Sequence, residues 1–450
     1  MFFWGLYCFV QVHKSSGVVE FIPAGKTVQV KPGFRPSLDK QSHKMRLCSS
    51  CFAVSKDDIL TDTLKVEDEQ LLQACPVCGE ISLRLVDARE PTGFFSDFLR
   101  HEFDGVFEFV PNSTRPTVFF DSDPLSLVPD TNAKIVGRKL TLASVNDNGG
   151  EGGFEFEPHI FRRLQGDGAY HVRRNNSEEL NPYRVALLSE KITDIFLVDV
   201  ADWPTGLFAD PKTVEGRAAW YSFVFMFRAA AASLLDIDVQ ELSAGFRTVK
   251  RDGRASGQGF LSDTIDNGAG YCRWLEQEIN FKAVISSCLS DELGSIATMC
   301  LDTKHSEACD TSCNICLRDY YNLQYHGLLD WRLGLDMFRI ISGGAGTIDF
   351  KTTWGKIKNP WASVFIGENP IATKILGELG FDITDVVSGM PIYFSERRQK
   401  ILVSAHPLWD LDVHEGFTQA ATQAKEIYQC NNVRAVNPFR LLRRPVDLLR

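Results

Sequence analysis

Apolar and polar residues alternate along much of the first half of the chain. From Arg89 to about Val200 the stretches VFEFV, TVFF, KLTLASV, GFEFE and RVALLSEKITDIFLVDV follow this pattern, separated by turns rich in Gly and Pro. A period of two predicts an antiparallel sheet. The pattern then changes. TVEGRAAWYSFVFMFRAAAASLLDI, from Thr213 to Ile237, is crowded with alanine and aromatic residues on more than one face, which predicts a long, buried, central helix. LEQEINFKAVISSC predicts another. In LRDYYNLQYHGLLDWRLGLDMFRII, Leu328, Leu329, Leu333, Leu335, Phe338 and Ile341 recur near helical spacing, with Asp330, Trp331, Arg332 and Asp336 interleaved, which predicts a helix with one face in the core. Beyond Trp354, a strand WASVFI, a helix NPIATKILGELG and a strand KILVSAHPLW predict a small α/β appendage.

Composition narrows the class. A length of 450 residues, 44% of them hydrophobic, is enough for substantial cores and for roughly two to four domains. No unbroken apolar run reaches the roughly 18 residues of a spanning helix, so no membrane is expected. The opening MFFWGLYCFV lacks a basic leader and a small-residue cleavage site. It predicts a core strand, as though the fold continued upstream. A net charge of −10 argues against a general coat of positive charge but leaves room for a local basic groove.

The 12 cysteines are too sparse for a disulfide scaffold, and seven of them cluster at metal-ligand spacings. With no secretory signal, bound zinc in a reducing cytoplasm is expected. LCSSC (Cys48, Cys51) and ACPVCG (Cys75, Cys78) are separated by 23 residues. Two such knuckles place four thiolates around one tetrahedral zinc. Gly79 follows, where the turn needs a positive φ. The other readings are four buried free thiols or a redox pair, and no βα unit follows to support the latter. A second group, CDTSCNIC, supplies Cys309, Cys313 and Cys316 from one loop. His305 is the nearest fourth ligand, with Cys300, Cys272 and His326 as alternatives. An open fourth position would activate water; a closed one holds structure. The zinc loop is expected to pin the start of the following helix.

At EACDTSCNICLRDYYNLQYHGLLDWRLGLD the chain resembles the zinc-binding (MZB) domain at the C-terminal end of MrfA-type DNA helicases. It is closest to the versions in bacterial anti-phage defence systems such as DISARM and Druantia. REPTGFFSDF (89–98), HEFDGVFEF (101–109), ASVNDNGG (143–150) and LSDTIDNGAGYCRWL (261–275) resemble further landmarks in the same order, so the likeness covers about residues 25 to 342. In the resembled domain a fourth cysteine precedes the triplet; this chain has Glu307 nearby, and His305 is the better ligand. No GxxxxGK[ST] phosphate loop or acidic magnesium-binding strand end occurs, and GGAG at 343–346 reads as a turn. The resemblance implies an α+β protein: N-terminal strands and linker (1–45), a zinc-ribbon knuckle (46–86), an antiparallel β-rich domain (87–210), a helical MZB-type zinc-binding domain (211–342) and a small α/β C-terminal region (343–450). It also implies an accessory subunit without a motor, working with a helicase or other defence-complex subunit, with two structural zinc ions and no catalysis.

Candidate contacts follow. Arg247, Lys250, Arg251 and Arg254 lie in FRTVKRDGRASGQG, read as a Gly-rich loop able to approach a phosphate backbone of DNA. HVRRNN (171–176) and the tail FRLLRRPVDLLR are weaker basic stretches. Phe2, Phe3, Trp4 and Tyr7 are the candidates for a partner interface. His406 with Asp410 is a candidate acid–base pair, though a structural histidine is the plainer reading. Asn267, Gly268 and Gly270 read as backbone-shape residues ahead of a helix at Tyr271. A stand-alone nuclease with an unrecognised site, or a purely structural adaptor, stay open beside the accessory-subunit reading.

Overall fold

A computed structural model describes residues 43–56, 74–96, 115–120, 125–148, 150, 152–156, 183–292, 294–344, 348–353 and 356–449, and short strands at Val10–Val12, Val19–Phe21, Pro32–Pro36, Phe161–Leu164 and Tyr170–Arg173. Phe2, Phe3, Trp4 and Tyr7, the stretch 101–109 and residues 174–176 lie outside the described residues.

Two long strands form the axis. Ala133–Asn146 pairs antiparallel along its whole 14-residue length with Tyr183–Val200. The other edge of Tyr183–Val200 is divided: Ala186 and Leu187 pair in parallel with Leu83–Arg89, and Ile195 to Val198 pair antiparallel with Arg254–Asp263. One strand thus joins the cysteine ribbon at 43–89 to a hairpin at 242–263 in a single ten-stranded sheet. The parallel pair departs from the purely antiparallel sheet expected. Both faces of IFLV are covered. Ile195 and Leu197 meet Val118, Val136 and Phe260; Phe196 and Val198 meet the central helix. A strand buried on both sides reads as a continuous apolar run.

The central helix, Val214–Leu235, begins where Thr213 Oγ1 accepts the amide of Gly216 at 3.0 Å and ends at Asp236 in the left-handed region. By length and composition it could cross a membrane, but 72% of its apolar window is buried within the protein. It is the hub of one apolar cluster that runs from Val128 to Leu441, so the segments 87–210, 211–342 and 343–450 share a core.

Three elements differ from expectation. The stretch after Cys316 is not one helix: a 3₁₀ turn, Tyr320–Tyr325, capped by Asp319, comes first, and the α-helix starts at Trp331, where the Asp330 side chain accepts the amide of Arg332 at 3.1 Å. Every residue of Trp331–Ile341 is buried, polar ones included, so there is no solvent face. WASVFI holds a short helix, Ala362–Phe365, because its buried positions, Trp361, Val364 and Phe365, recur at helical spacing. LEQEINFKAVISSC is broken at Gln277 into Tyr271–Glu276 and Glu278–Leu289. The C-terminal region is a four-stranded sheet, Ile383–Val387, Met390–Ser395, Lys400–Ser404 and Val433–Val436, packed by the helix Glu415–Tyr428.

The Gly-rich basic stretch is a hairpin, not a loop: Leu242–Arg251 and Arg254–Asp263 pair throughout, turning at Asp252-Gly253. Its glycines answer to packing. A Cβ on Gly257 would lie 2.1 Å from Nε1 of the fully buried Trp220, and one on Gly259 would lie 2.8 Å from Val224. The central helix therefore sits directly on the backbone of the hairpin. Replacing Gly257 with Ala is expected to overpack this contact and lower stability by about 1–3 kcal/mol, read as a fall in the urea midpoint at constant slope. An unchanged midpoint would contradict this packing.

Candidate metal centres

The first centre is built on the turn that ends the strand His43–Cys48 and on the bridge between Ala74 and Ile81. Gly79 turns the second knuckle at φ +76, with open space where a side chain would be. Cys48 Sγ lies 3.7 Å from Cys78 Sγ, and Cys51 Sγ lies 3.7 Å from Cys75 Sγ. A tetrahedral zinc with Zn–S bonds of about 2.3 Å has S···S edges of about 3.8 Å, so the four sulfurs are spaced for that ion; a disulfide would need about 2.0 Å. The Cys51 amide points at Cys48 Sγ from 3.3 Å. A hydrogen bond from the Cys51 thiol draws Cys48 down to about 4, while the same bond and burial push Cys51 up. Thiolates are the metal-binding form of cysteine, so metal entry at this centre displaces protons.

The second centre brings together His305, Cys309, Cys313 and Cys316, whose ligand atoms all lie within 4.8 Å of one another. Cys309 and Cys316 sulfurs are 3.9 Å apart, Cys313 and Cys316 3.8 Å, and His305 Nε2 lies 3.5 Å from Cys313 Sγ. The last is also about the N···S edge of a zinc tetrahedron. His305 Nδ1 is 2.8 Å from the carbonyl oxygen of Cys300. A carbonyl only accepts, so Nδ1 carries the proton and Nε2 presents its lone pair to the metal. Cys309 is drawn down to about 6, first by the thiol of Cys316.

The alternatives for the fourth ligand are engaged elsewhere. Cys300 contributes its carbonyl, and its thiol is pushed up to about 12 by burial. Cys272 lies where its amide is held by Asp263 Oδ1 at 3.1 Å. His326 Nε2 faces Asp319 O and Asn322 Oδ1 at 3.0 and 2.8 Å. Among the described residues these two groups are the ones with metal-ligand geometry. Each supplies four protein ligands, which fits two structural zinc ions and leaves no coordination position for water.

The metal loop does pin the next helix. Trp331 donates its amide to Thr311 O at 3.0 Å and Nε1 to Cys309 O at 3.3 Å, and Arg332 Nη1 donates to Asp310 O at 2.5 Å. The landmark motifs have structural work of the same kind. The fully buried Asp263 carboxylate accepts the amides of Ala269, Gly270, Tyr271 and Cys272, with Gly268 and Gly270 at positive φ. Arg84 of the ribbon holds Asp147 of NDNGG at 2.8 Å. Neither carboxylate was singled out from the sequence, although an Asp a few residues before a Gly-rich turn is a recognisable cap.

His406 does not pair with Asp410. Its Nε2 donates to Asp336 Oδ2 at 3.0 Å, its Nδ1 accepts the Leu408 amide at 3.2 Å, and both side chains are sealed from solvent, so acid–base work on a substrate is excluded there. Of the basic candidates, Arg247 bridges Gln258 Oε1 and Val118 O at 2.8 and 2.7 Å. Arg251 holds Asp199 at 3.0 Å and the carbonyls of Val200 and Ala201. These two close the sheet internally. Lys250 and Arg254 are exposed beside the hairpin turn, Arg254 lying 3.6 Å over the Phe208 ring.

A stretch of 126 residues is 33% identical to Druantia protein DruE of Escherichia coli (strain UMEA 4076-1). Part of the chain is thus similar to a Druantia protein. That stretch is 27% of this chain and 6% of DruE, so the likeness concerns a small part of a much longer protein. The solved DUF1998 helicase MrfA bound to DNA gives a TM-score of 0.29 at 11% identity, covering 51% of this chain and 25% of that one, too slight a likeness to build on. No protein-family profile matches the chain. The relation to DruE accords with the Druantia-type resemblance read from the cysteine loop and its helix.

Elemental analysis of protein purified without chelator is expected to give about two zinc ions per chain, each site being four-coordinate. Cys313→Ser is expected to lose one and to expose the loop 305–317 to proteolysis, because metal binding and local folding are coupled. Iron in place of zinc, or a variant that folds normally with one ion fewer, would refute the structural assignment.

Proposed function

We propose that this chain is a non-catalytic, zinc-holding accessory subunit of a helicase-associated bacterial anti-phage defence complex, working in the cytoplasm and contributing DNA binding and partner assembly. The relation to Druantia protein DruE carries this reading. Closure of both metal centres supports the non-catalytic part: with four protein ligands each, neither can present a metal-bound hydroxide. The sealed His406–Asp336 pair supports it too. Gly25-Lys26-Thr27 has Glu20 where a phosphate loop needs its leading glycine.

The phosphate-contacting role falls to Lys250 and Arg254, since Arg247 and Arg251 are committed inside the sheet. The tip they occupy adjoins the first metal centre, where Thr248 Oγ1 donates to Cys51 O at 2.6 Å. Arg217 lies 4.3 Å over the Phe52 ring and adds one positive charge at the same knuckle, whereas Lys212 is paired with Glu80 and adds none. A cluster of this kind binds phosphates without reading sequence.

Three outcomes test the reading. Purified chain is expected to show no ATP hydrolysis with or without DNA, and turnover surviving stringent purification would refute the motor-free assignment. Changing Lys250 and Arg254 together to Ala is expected to weaken DNA binding and to reduce the slope of log K against log salt by about two, with zinc content unchanged. DNA affinity that ignores this change would leave the adaptor role standing alone. Co-expression with a separately encoded Druantia-type helicase is expected to give a complex that co-purifies, and failure to do so would sink the partner assignment.

A further inference from the structure

Behind the second metal centre lies a buried group of charges that does not balance by itself. Asp330 and Arg332 are 0% and 1% exposed as side chains, and Arg443, reaching in from the C-terminal segment, is 17% exposed. Arg443 Nη1 lies 3.1 Å from Asp330 Oδ2, and Arg332 Nη1 lies 4.0 Å from Asp330 Oδ1. Two guanidiniums therefore share one carboxylate, leaving one positive charge in excess. Burying an uncompensated charge is strongly unfavourable even after relaxation. Neutral acceptors relieve part of this. Arg332 donates to Asp310 O and Pro360 O, and Arg443 to Gly327 O and Leu329 O. These are dipoles, not charges.

The missing negative charge is next door. A divalent ion held by three thiolates and a neutral imidazole carries one net negative charge. Arg332 reaches the backbone of that loop directly, at the carbonyl of the residue after Cys309, and Trp331 is bonded to the carbonyl of Cys309 itself. Of the other charged side chains near the loop, Lys304, Glu307 and Asp310 are exposed to water and screened, and Arg318 is half-buried and donates its Nε to Ser312 Oγ at 2.9 Å.

We propose that Arg332 is the built-in counter-charge of the second metal centre, and that the Asp330–Arg443 contact extends this balance to the C-terminal segment. Metal occupancy at His305, Cys309, Cys313 and Cys316 and docking of residues 438–449 then favour one another, with the same coupling free energy read from either side. The inference rests on the assignment of a metal to this centre and not on the defence role.

The test uses the full chain loaded with Co(II), whose absorption bands distinguish a three-sulfur from a four-sulfur site, so the first centre is an internal control. Arg332→Met is expected to weaken metal binding at the three-sulfur site by about 10- to 100-fold, the range for partners behind metal ligands, and Arg332→Lys to restore part of it. Arg443→Gln, a change at the rim that spares the core, is expected to weaken it in the same direction. Asp330→Asn keeps a helix-capping side chain and removes the competing negative charge, so it is expected to tighten the site. Chelation of wild-type metal is expected to raise hydrogen exchange in residues 438–449. A general loss of folding would loosen both centres in all variants. Equal effects at the two centres, or shifts of the same sign for Arg443→Gln and Asp330→Asn, would overturn the proposal. A wild-type chain with no three-sulfur Co(II) spectrum would overturn the metal assignment and the coupling together.

Discussion

A helix with no solvent face that nevertheless carries charges sets the terms for much of this molecule. Trp331–Ile341 is buried throughout, yet Arg332, Asp336 and Arg339 lie within it. Each charge needs partners that water would otherwise supply. The Arg332 guanidinium takes carbonyls from the metal loop and from Pro360, and stacks 4.3 Å over Trp331. The Asp336 carboxylate takes Nε1 of Trp361 at 2.7 Å and Nε2 of His406 at 3.0 Å. One short helix is thereby tied to the metal centre before it, the Trp361 turn beside it and the C-terminal sheet after it. The polar contacts here choose partners; the apolar surroundings provide most of the stability.

The two metal centres serve the sheet and the helices in the same way. Each sits where the chain runs in tight turns. The first is locked to the hairpin by Thr248 and by Ala255, which packs among Cys48, Cys51 and Cys75. The second presents its loop carbonyls to the start of the buried helix. Both are therefore positioning devices. The C-terminal segment closes the arrangement from the far side: Arg440 and Asn437 hold the buried Glu215 in the first turn of the central helix, and Arg443 holds Asp330.

What the chain's order of residues determined by itself is whatever depends on short range. The ligand spacings in LCSSC, ACPVCG and CDTSCNIC specify two tetrahedra, because a tight turn allows few places for the next sulfur. His305 was within reach of its loop by the same reasoning. The central helix was legible because its alanine and aromatic residues extend round more than one face. Tertiary structure decided where contacts between distant segments outweigh local pattern. FRTVKRDGRASGQG looks like a flexible basic loop, yet its glycines admit Trp220 and Val224, and two of its arginines close a sheet against Val118 and Asp199. His406 lies four residues from Asp410 but pairs with Asp336, 70 positions away. WASVFI has strand-forming residues but is helical, because Trp361, Val364 and Phe365 must enter one core together. A charge or a glycine carries no mark in the sequence of whether its partner is water or a distant part of the chain, and that difference is settled only when burial removes the water.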